Sequence, residues 1–341
     1  MKLFPLLLSL LTLPISSQVL SQSIDLEFDK FDAIYKTELG ATRGCEVPEI
    51  DVFRVCSDSL RNDGNAPFIL HHNKVTEKVI VLFHGLSDSP FFFRSIAKSM
   101  HQQGHNVVVA LMPGHGKKQA NDDMQDTELS DRWRAHVAEV FDFADGLGEQ
   151  RYLGGFSTGG VLAAEYILQH PKSVSGLLLF SGALALDSGV ETVAKIWGAQ
   201  WLAKVLSGDY KTQGLNRYKY PGVAPFSAFE LTEVIFSVRE LIEQDAPLDL
   251  PIFSGHSVAD VTTPISGVKN LMSTNKGPNV LFELPLSDDV CHADVVVNQA
   301  QVTDMQFDAS KLEEILPCAV PKANPKHAEM LNAMQQFLTK Y

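Results

Sequence analysis

The 341-residue chain contains no Asn-x-Ser/Thr glycosylation acceptor, no low-complexity tract and no internal repeat. It is also short of basic charge, with 28 Lys and Arg against 41 Asp and Glu and a formal net charge of −13. A field of that sign repels phosphate backbones and anionic lipid, so nucleic acid is not an expected partner. Long apolar runs are missing as well. The first segment, Leu3 to Leu13, is too short to span a bilayer and is followed by small and polar residues. With Lys2 ahead of it, this is the layout of a cleavable secretory signal over residues 1–21, which leaves 22–341 as one mature domain, periplasmic or secreted. No cysteine stands near that boundary, so no lipid-anchored cysteine and no stable membrane anchor are expected.

Cysteine is scarce, and its four positions, Cys45, Cys56, Cys291 and Cys318, have no zinc-site spacing. No metal is expected. In an exported chain four cysteines suit disulfides with three possible connectivities, and the sequence-local pairing of Cys45 with Cys56 and Cys291 with Cys318 is preferred.

What is present is an alternation of strands and helices. Val79 to Phe83 is a short β-branched run that reads as a buried strand. A helix follows, with Ser89 as N-cap, Pro90 at its first position and Gly104 as its stop. The run around "HNVVVALMPGHG" gives the next strand, and Trp133, Val137, Val140 and Phe141 mark one face of the next helix. "QRYLGGF" is a strand, "STGGVLAAEYILQHP" a helix, and "VSGLLLFSGAL", "LPIFSGHSVAD" and "NVLFELPLS" are strands. A last helix starts near Asn324 and Pro325. This order predicts an α/β fold, a mostly parallel sheet covered by helices on both faces. Residues 187–248 interrupt it with two helices that read as a small cap over the sheet's carboxyl edge; Ser227 and Glu230 form a capping box at the start of the second.

The stretch "LGGFSTGGVL" places Ser157 among Gly154, Gly155, Gly159 and Gly160, where a strand gives way to a helix. Ligands gather at the carboxyl ends of parallel strands, and a helix start offers free NH groups and partial positive charge. A serine there becomes a nucleophile once a base takes its proton. Glycine at 155 and 159 removes side chains that would clash in so tight a bend.

On "GFSTG" the chain resembles the α/β-hydrolase superfamily, whose nucleophile elbow is Gly-x-Ser-x-Gly and whose triad runs Ser, acid, His. "MPGHG" at 112–116 is similar to a loop of the monoacylglycerol lipase and lysophospholipase-like branch. The resemblance implies Asp260, in the Asp-x-x-x-Pro stretch ending at Pro264, as the acid, and His292 as the base. It implies the backbone NH groups of Leu86 and Thr158 as the oxyanion hole, and structural roles for His84 and His115. Cys291, beside His292, would tether the loop that carries it. No cofactor is implied.

The expected activity is hydrolysis of a small-molecule carboxylic ester with a hydrophobic acyl or alcohol group, through an acyl-enzyme. A proline iminopeptidase-like aminopeptidase or a thioesterase on the same fold is the alternative, and a non-catalytic binding protein is the reading from another class. The aminopeptidases usually carry tryptophan after the elbow serine, where this chain has Thr158. Glu230, Glu233, Glu240 and Glu243 are candidates for holding an amino terminus but read better as a solvated helix face. Phe91, Phe92, Phe93, Trp197 and Trp201 are either core or an apolar substrate wall.

Overall fold

The computed structural model of the chain describes residues 24–186, 210–244, 246–312, 314 and 316–341. The expected signal segment 1–21 and both cap tryptophans, Trp197 and Trp201, lie outside the described residues.

The chain enters through helices α1 (Ile24–Ile34) and α2 (Lys36–Leu39) and strands β1 (Thr42–Gly44), β2 (Val52–Ser57) and β3 (Phe68–Leu70). The alternating part follows: β4 (Thr76–Phe83), α3 (Arg94–Gln102), β5 (Asn106–Ala110), α4 (Asn121–Met124), α5 (Leu129–Phe143), β6 (Gly148–Phe156), α6 (Thr158–Gln169) and β7 (Gly176–Phe180). Helix α7 (Pro225–Glu243) belongs to the 187–248 insertion, and after it come β8 (Ile252–Ser257), α8 (Ser266–Thr274), β9 (Asn279–Leu284), α9 (Gln299–Met305) and α10 (His327–Lys340). Among the described residues the strands form one sheet in the order β1-β2-β3-β5-β4-β6-β7-β8-β9. From β5 to β9 every neighbour is parallel, whereas β1, β2 and β3 extend the edge antiparallel.

Val79 to Phe83 on β4 are completely buried, as a strand covered on both faces must be, and this is why it reads as an unbroken apolar run rather than an alternating one. Register does the rest. Phe83 lies opposite Gly155, Phe156 opposite Phe180, and Phe180 opposite Gly255. The loops after β4, β6, β7 and β8 therefore leave the sheet side by side at its carboxyl edge.

Three local expectations need adjusting, although Ser89 does stand at the N-cap position with Pro90 directly after it. Ser89 precedes the turn Pro90–Phe93, but its hydroxyl makes no cap and donates instead to the Tyr218 carbonyl at 2.7 Å. The capping box at Ser227 does not form, because Pro225, with its fixed φ, already stands at the start of α7. Ser227 Oγ donates to the Ala224 carbonyl, and Glu230 accepts from the backbone NH and hydroxyl of Ser130 on α5. The final helix begins at His327, and Asn324 Oδ1 accepts the Lys326 NH just ahead of it.

Helix α7, expected above the sheet edge, packs against α5 and α6 in the layer covering the sheet. Leu231, Val234, Ile235 and Val238 on its apolar stripe are buried in the main core, each such side chain contributing about 1.5–3 kcal/mol. Only its first turns, at Ala228 and Leu231, reach the carboxyl-edge cavity described below. Phe91, Phe92 and Phe93 are buried, and Phe91 stacks on Tyr218 with ring centres 3.7 Å apart. Both sequence-local disulfides are formed, Cys45 to Cys56 and Cys291 to Cys318.

Candidate active site

Ser157 is the hinge between β6 and α6. Its backbone, at φ 52 and ψ −114, lies in a region that side-chain-bearing residues rarely adopt, so the surrounding structure must impose it. The restraints are visible. Ser157 NH donates to the Phe180 carbonyl at 3.1 Å, and the Ser157 carbonyl accepts from Gly160, Val161 and Ala183. A Cβ on Gly155 would collide with the Gly159 carbonyl, and one on Gly159 with the Phe83 carbonyl. Neither glycine can be replaced without opening the bend.

The three side chains singled out from the sequence come together here. His292 Nε2 lies 2.9 Å from Ser157 Oγ, and His292 Nδ1 lies 2.6 Å from Asp260 Oδ2. The consistent tautomer has Nδ1–H donating to the carboxylate, which leaves Nε2 to accept the serine proton. Asp260 is held from its other side: Oδ1 accepts the NH groups of Thr262 and Thr263, at 2.9 and 3.0 Å. Burial alone would raise its carboxyl, but the hydrogen bond and charge of His292, with the Thr263 NH, outweigh that and hold it below the ordinary carboxylate value. His292 opens a short 3-10 turn, His292–Val296, directly after the disulfide-bonded Cys291, and its ring lies 4.9 Å from that of Phe156.

Leu86 lines the cavity that holds Ser157, and Thr158 is the first residue of α6. Among the described residues neither backbone NH has a backbone acceptor, which suits donors reserved for a ligand. Neither His84 nor His115 lines this cavity. His84 Nε2 accepts the Met112 NH at 3.1 Å, joining the loops after β4 and β5, and burial holds its pKa well below the ordinary histidine value. His115 is likewise buried, its pKa pushed down to about 4.

Sequence reasoning missed four contributors. Thr263 Oγ1 lies 3.0 Å from Asp260 Oδ2 and 3.1 Å from His292 Nδ1, so one hydroxyl touches both members of that pair. Its signal was present inside the Asp260 to Pro264 stretch. His256 Nε2 is 2.8 Å from the Thr263 carbonyl and 3.7 Å from Asp260 Oδ2, fixing that loop from beneath. Asp88 is buried in the loop after β4 and pairs with Lys219 Nζ at 2.7 Å; no local pattern joins residues so far apart in the chain. Asp294, two residues after His292, lines the same cavity.

The cavity measures about 420 Å³, within the range of small-molecule sites. Apolar wall is supplied by Leu186, Val223, Leu231 and Val261, and polar groups by Asp88, Lys219 and Asp294. Among the described residues no group of acidic, histidine or cysteine side chains is arranged to hold a metal ion. No described helix is long and apolar enough to cross a membrane.

A solved structure of a metagenome-derived lipolytic enzyme superposes with a TM-score of 0.60 at 15% identity, covering 82% of this chain and 98% of that one. The chain has the α/β-hydrolase fold. A monoacylglycerol lipase from Paleococcus ferrophilus shares this fold with a TM-score of 0.50 at 18% identity, over 78% of this chain and 96% of that one. The family model described as serine aminopeptidase, S33, matches residues 74–220 of this chain, from just before β4 to beyond β7. By sequence the chain is 24% identical to Lipase 1 of Psychrobacter immobilis over 161 residues, 46% of this chain. That match spans about half, 49%, of the lipase's own length.

Proposed function

We propose that the protein is an exported serine hydrolase that cleaves carboxylic esters with a hydrophobic group, through an acyl-enzyme on Ser157. The observation that carries this reading is the continuous chain from Ser157 Oγ to His292 Nε2 at 2.9 Å and from His292 Nδ1 to Asp260 Oδ2 at 2.6 Å, opening into a largely apolar cavity. As Ser157 attacks the ester carbonyl, His292 takes its proton, and Asp260 keeps the ring in the required tautomer and offsets its charge. The tetrahedral oxyanion accepts from the NH groups of Leu86 and Thr158, each such donor being worth about 10²–10³ in turnover. His292 then protonates the departing alcohol, and a water activated by the same nitrogen releases the acid. The lipolytic relatives and the two disulfides, which suit an oxidising compartment, support the substrate class and the export. The test is hydrolysis of p-nitrophenyl esters of increasing acyl length: the wild-type protein turns them over, and Ser157→Ala does not.

One observation favours a second reading. The matching family model is described as a serine aminopeptidase, and Asp294 brings a carboxylate into the cavity that could meet a free amino group. Against it, Glu230 is engaged by Ser130 and Glu233 by Arg134, so these two acids of α7 are committed to packing rather than to substrate. An aminoacyl p-nitroanilide assayed beside the esters separates the two: turnover of the anilide without turnover of esters would replace the ester reading.

A further inference from the structure

A second cavity of about 340 Å³ adjoins the one that holds Ser157. The two share one wall, made of Lys219, Ala293, Asp294 and Cys318. Beyond that wall the second cavity is lined mainly by apolar side chains, among them Phe92, Leu215, Val297, Met305 and Leu312. Nothing in the acyl-transfer steps above uses it. Its position is informative, because its wall includes the two residues that directly follow His292, and His292 is the group that must hand a proton to the departing alcohol. The alcohol side of a bound ester therefore lies beside that wall.

The wall's charges restrict what can pass. Lys219 is already matched by the buried Asp88 at 2.7 Å, so it is not a spare cation awaiting a phosphate. Asp294 is buried, and burial pushes its carboxyl up to about 6 against the opposing hydrogen bond from the Lys322 NH, so it carries negative charge at neutral pH. Lys219, Asp88 and Asp294 together favour a neutral group over an anionic one.

The geometry points to a two-armed substrate: an ester whose acyl side occupies the cavity beside Ser157 while the hydrocarbon of a neutral alcohol fills the cavity behind Lys219 and Ala293. This rests on the ester-hydrolase reading and deepens it, by assigning the alcohol side its own binding site and by placing phosphate-bearing alcohols, as in lysophospholipids, outside the preferred class.

The test compares butyrate esters from ethyl to octyl alcohol, and a monoacylglycerol against a lysophospholipid of the same acyl chain, in wild type, Ala319→Trp and Leu215→Trp. Ala319 and Leu215 line only the second of the two cavities, and a tryptophan at either fills it. In the wild type kcat/KM rises by roughly tenfold or more from the ethyl to the octyl ester, a fraction of what six buried methylenes can supply. Each variant abolishes that rise while leaving the ethyl ester close to wild type, and the lysophospholipid is the poorer of the paired substrates. A flat dependence on alcohol length in the wild type, an equal loss on ethyl and octyl esters in both folded variants, or a preference for the lysophospholipid would each overturn the assignment. Labelling of Ser157 by a fluorophosphonate, run on all three proteins, keeps the two readings apart. Labelling with a flat alcohol series removes only the second-cavity assignment, whereas no labelling of the wild type removes the hydrolase reading with it.

Discussion

Thr263 Oγ1 lies 3.0 Å from Asp260 Oδ2, on the oxygen that also faces His292. A buried hydrogen bond to a charged group is worth about 1.5–3 kcal/mol, so this hydroxyl fixes where the carboxylate points and helps keep it ionised. Thr263→Val preserves shape and removes the hydroxyl. The expected result is a fall in kcat/KM of roughly 10–100-fold, together with a shift of the acid limb of the pH–rate profile to higher pH, since Asp260 loses a partner that stabilises its charged form. Thr263→Ser should restore both. A purely packing role for Thr263 would leave the pH profile unmoved.

The Cys291 to Cys318 disulfide closes a loop across 27 positions and ends at the residue before His292. Cys45 to Cys56 closes 11 positions at the antiparallel edge, far along the chain from the elbow. Removing either pair as a double serine variant should cost about 2–4 kcal/mol in denaturant unfolding. Only loss of the Cys291 pair should also lower kcat, because only that bond restrains the loop that carries the imidazole. Unchanged kcat in the Cys291→Ser, Cys318→Ser protein would mean that packing alone positions His292.

Asp294 titrates in the folded protein near 6, raised by burial above the ordinary 3.8. The folded state thus holds this proton more tightly than the unfolded chain does. Stability from this residue is complete at acid pH, declines as pH rises from 3.8 toward 6, and is lost above that. Asn at this position is neutral at every pH and can still accept the Lys322 NH. Asp294→Asn should therefore raise the melting temperature by a few degrees at about pH 7.5 and change it little at about pH 4. Equal effects at both pH values would contradict the assignment of the shift to burial of charge.

Legibility of the fold followed the range of the interactions that fix each part. The elbow could be read because most of its causes are local: Gly155 and Gly159 are within two positions of Ser157, and the clash avoided at Gly155 is with the bend itself, whereas that at Gly159 is with the Phe83 carbonyl at the end of β4. The parallel strands could be read because burial on both faces leaves continuous apolar runs such as Val79 to Phe83. Strands β1, β2 and β3 carry no such mark. They are short, include exposed or half-buried arginines at Arg43 and Arg54, and owe their existence to pairing partners elsewhere in the chain. At Ser227 the helix had already been started by Pro225, and Glu230 takes its partner from Ser130, 100 positions away. At the site, the order of Ser157, Asp260 and His292 is written in the sequence, whereas the Asp88 to Lys219 pair and the wall between the cavities exist only once loops 131 positions apart have met.

The most direct measurement is covalent capture of Ser157 by a fluorophosphonate, read by intact mass and by the mass of the peptide containing "GFSTG". The expected result is a single adduct on Ser157 in the wild type, none in Ser157→Ala, and a strongly slowed reaction in His292→Ala, where the base is gone but the serine remains. A wild-type protein that takes no label, or a Ser157→Ala protein that takes it equally well, would contradict the claim that this serine is an activated nucleophile.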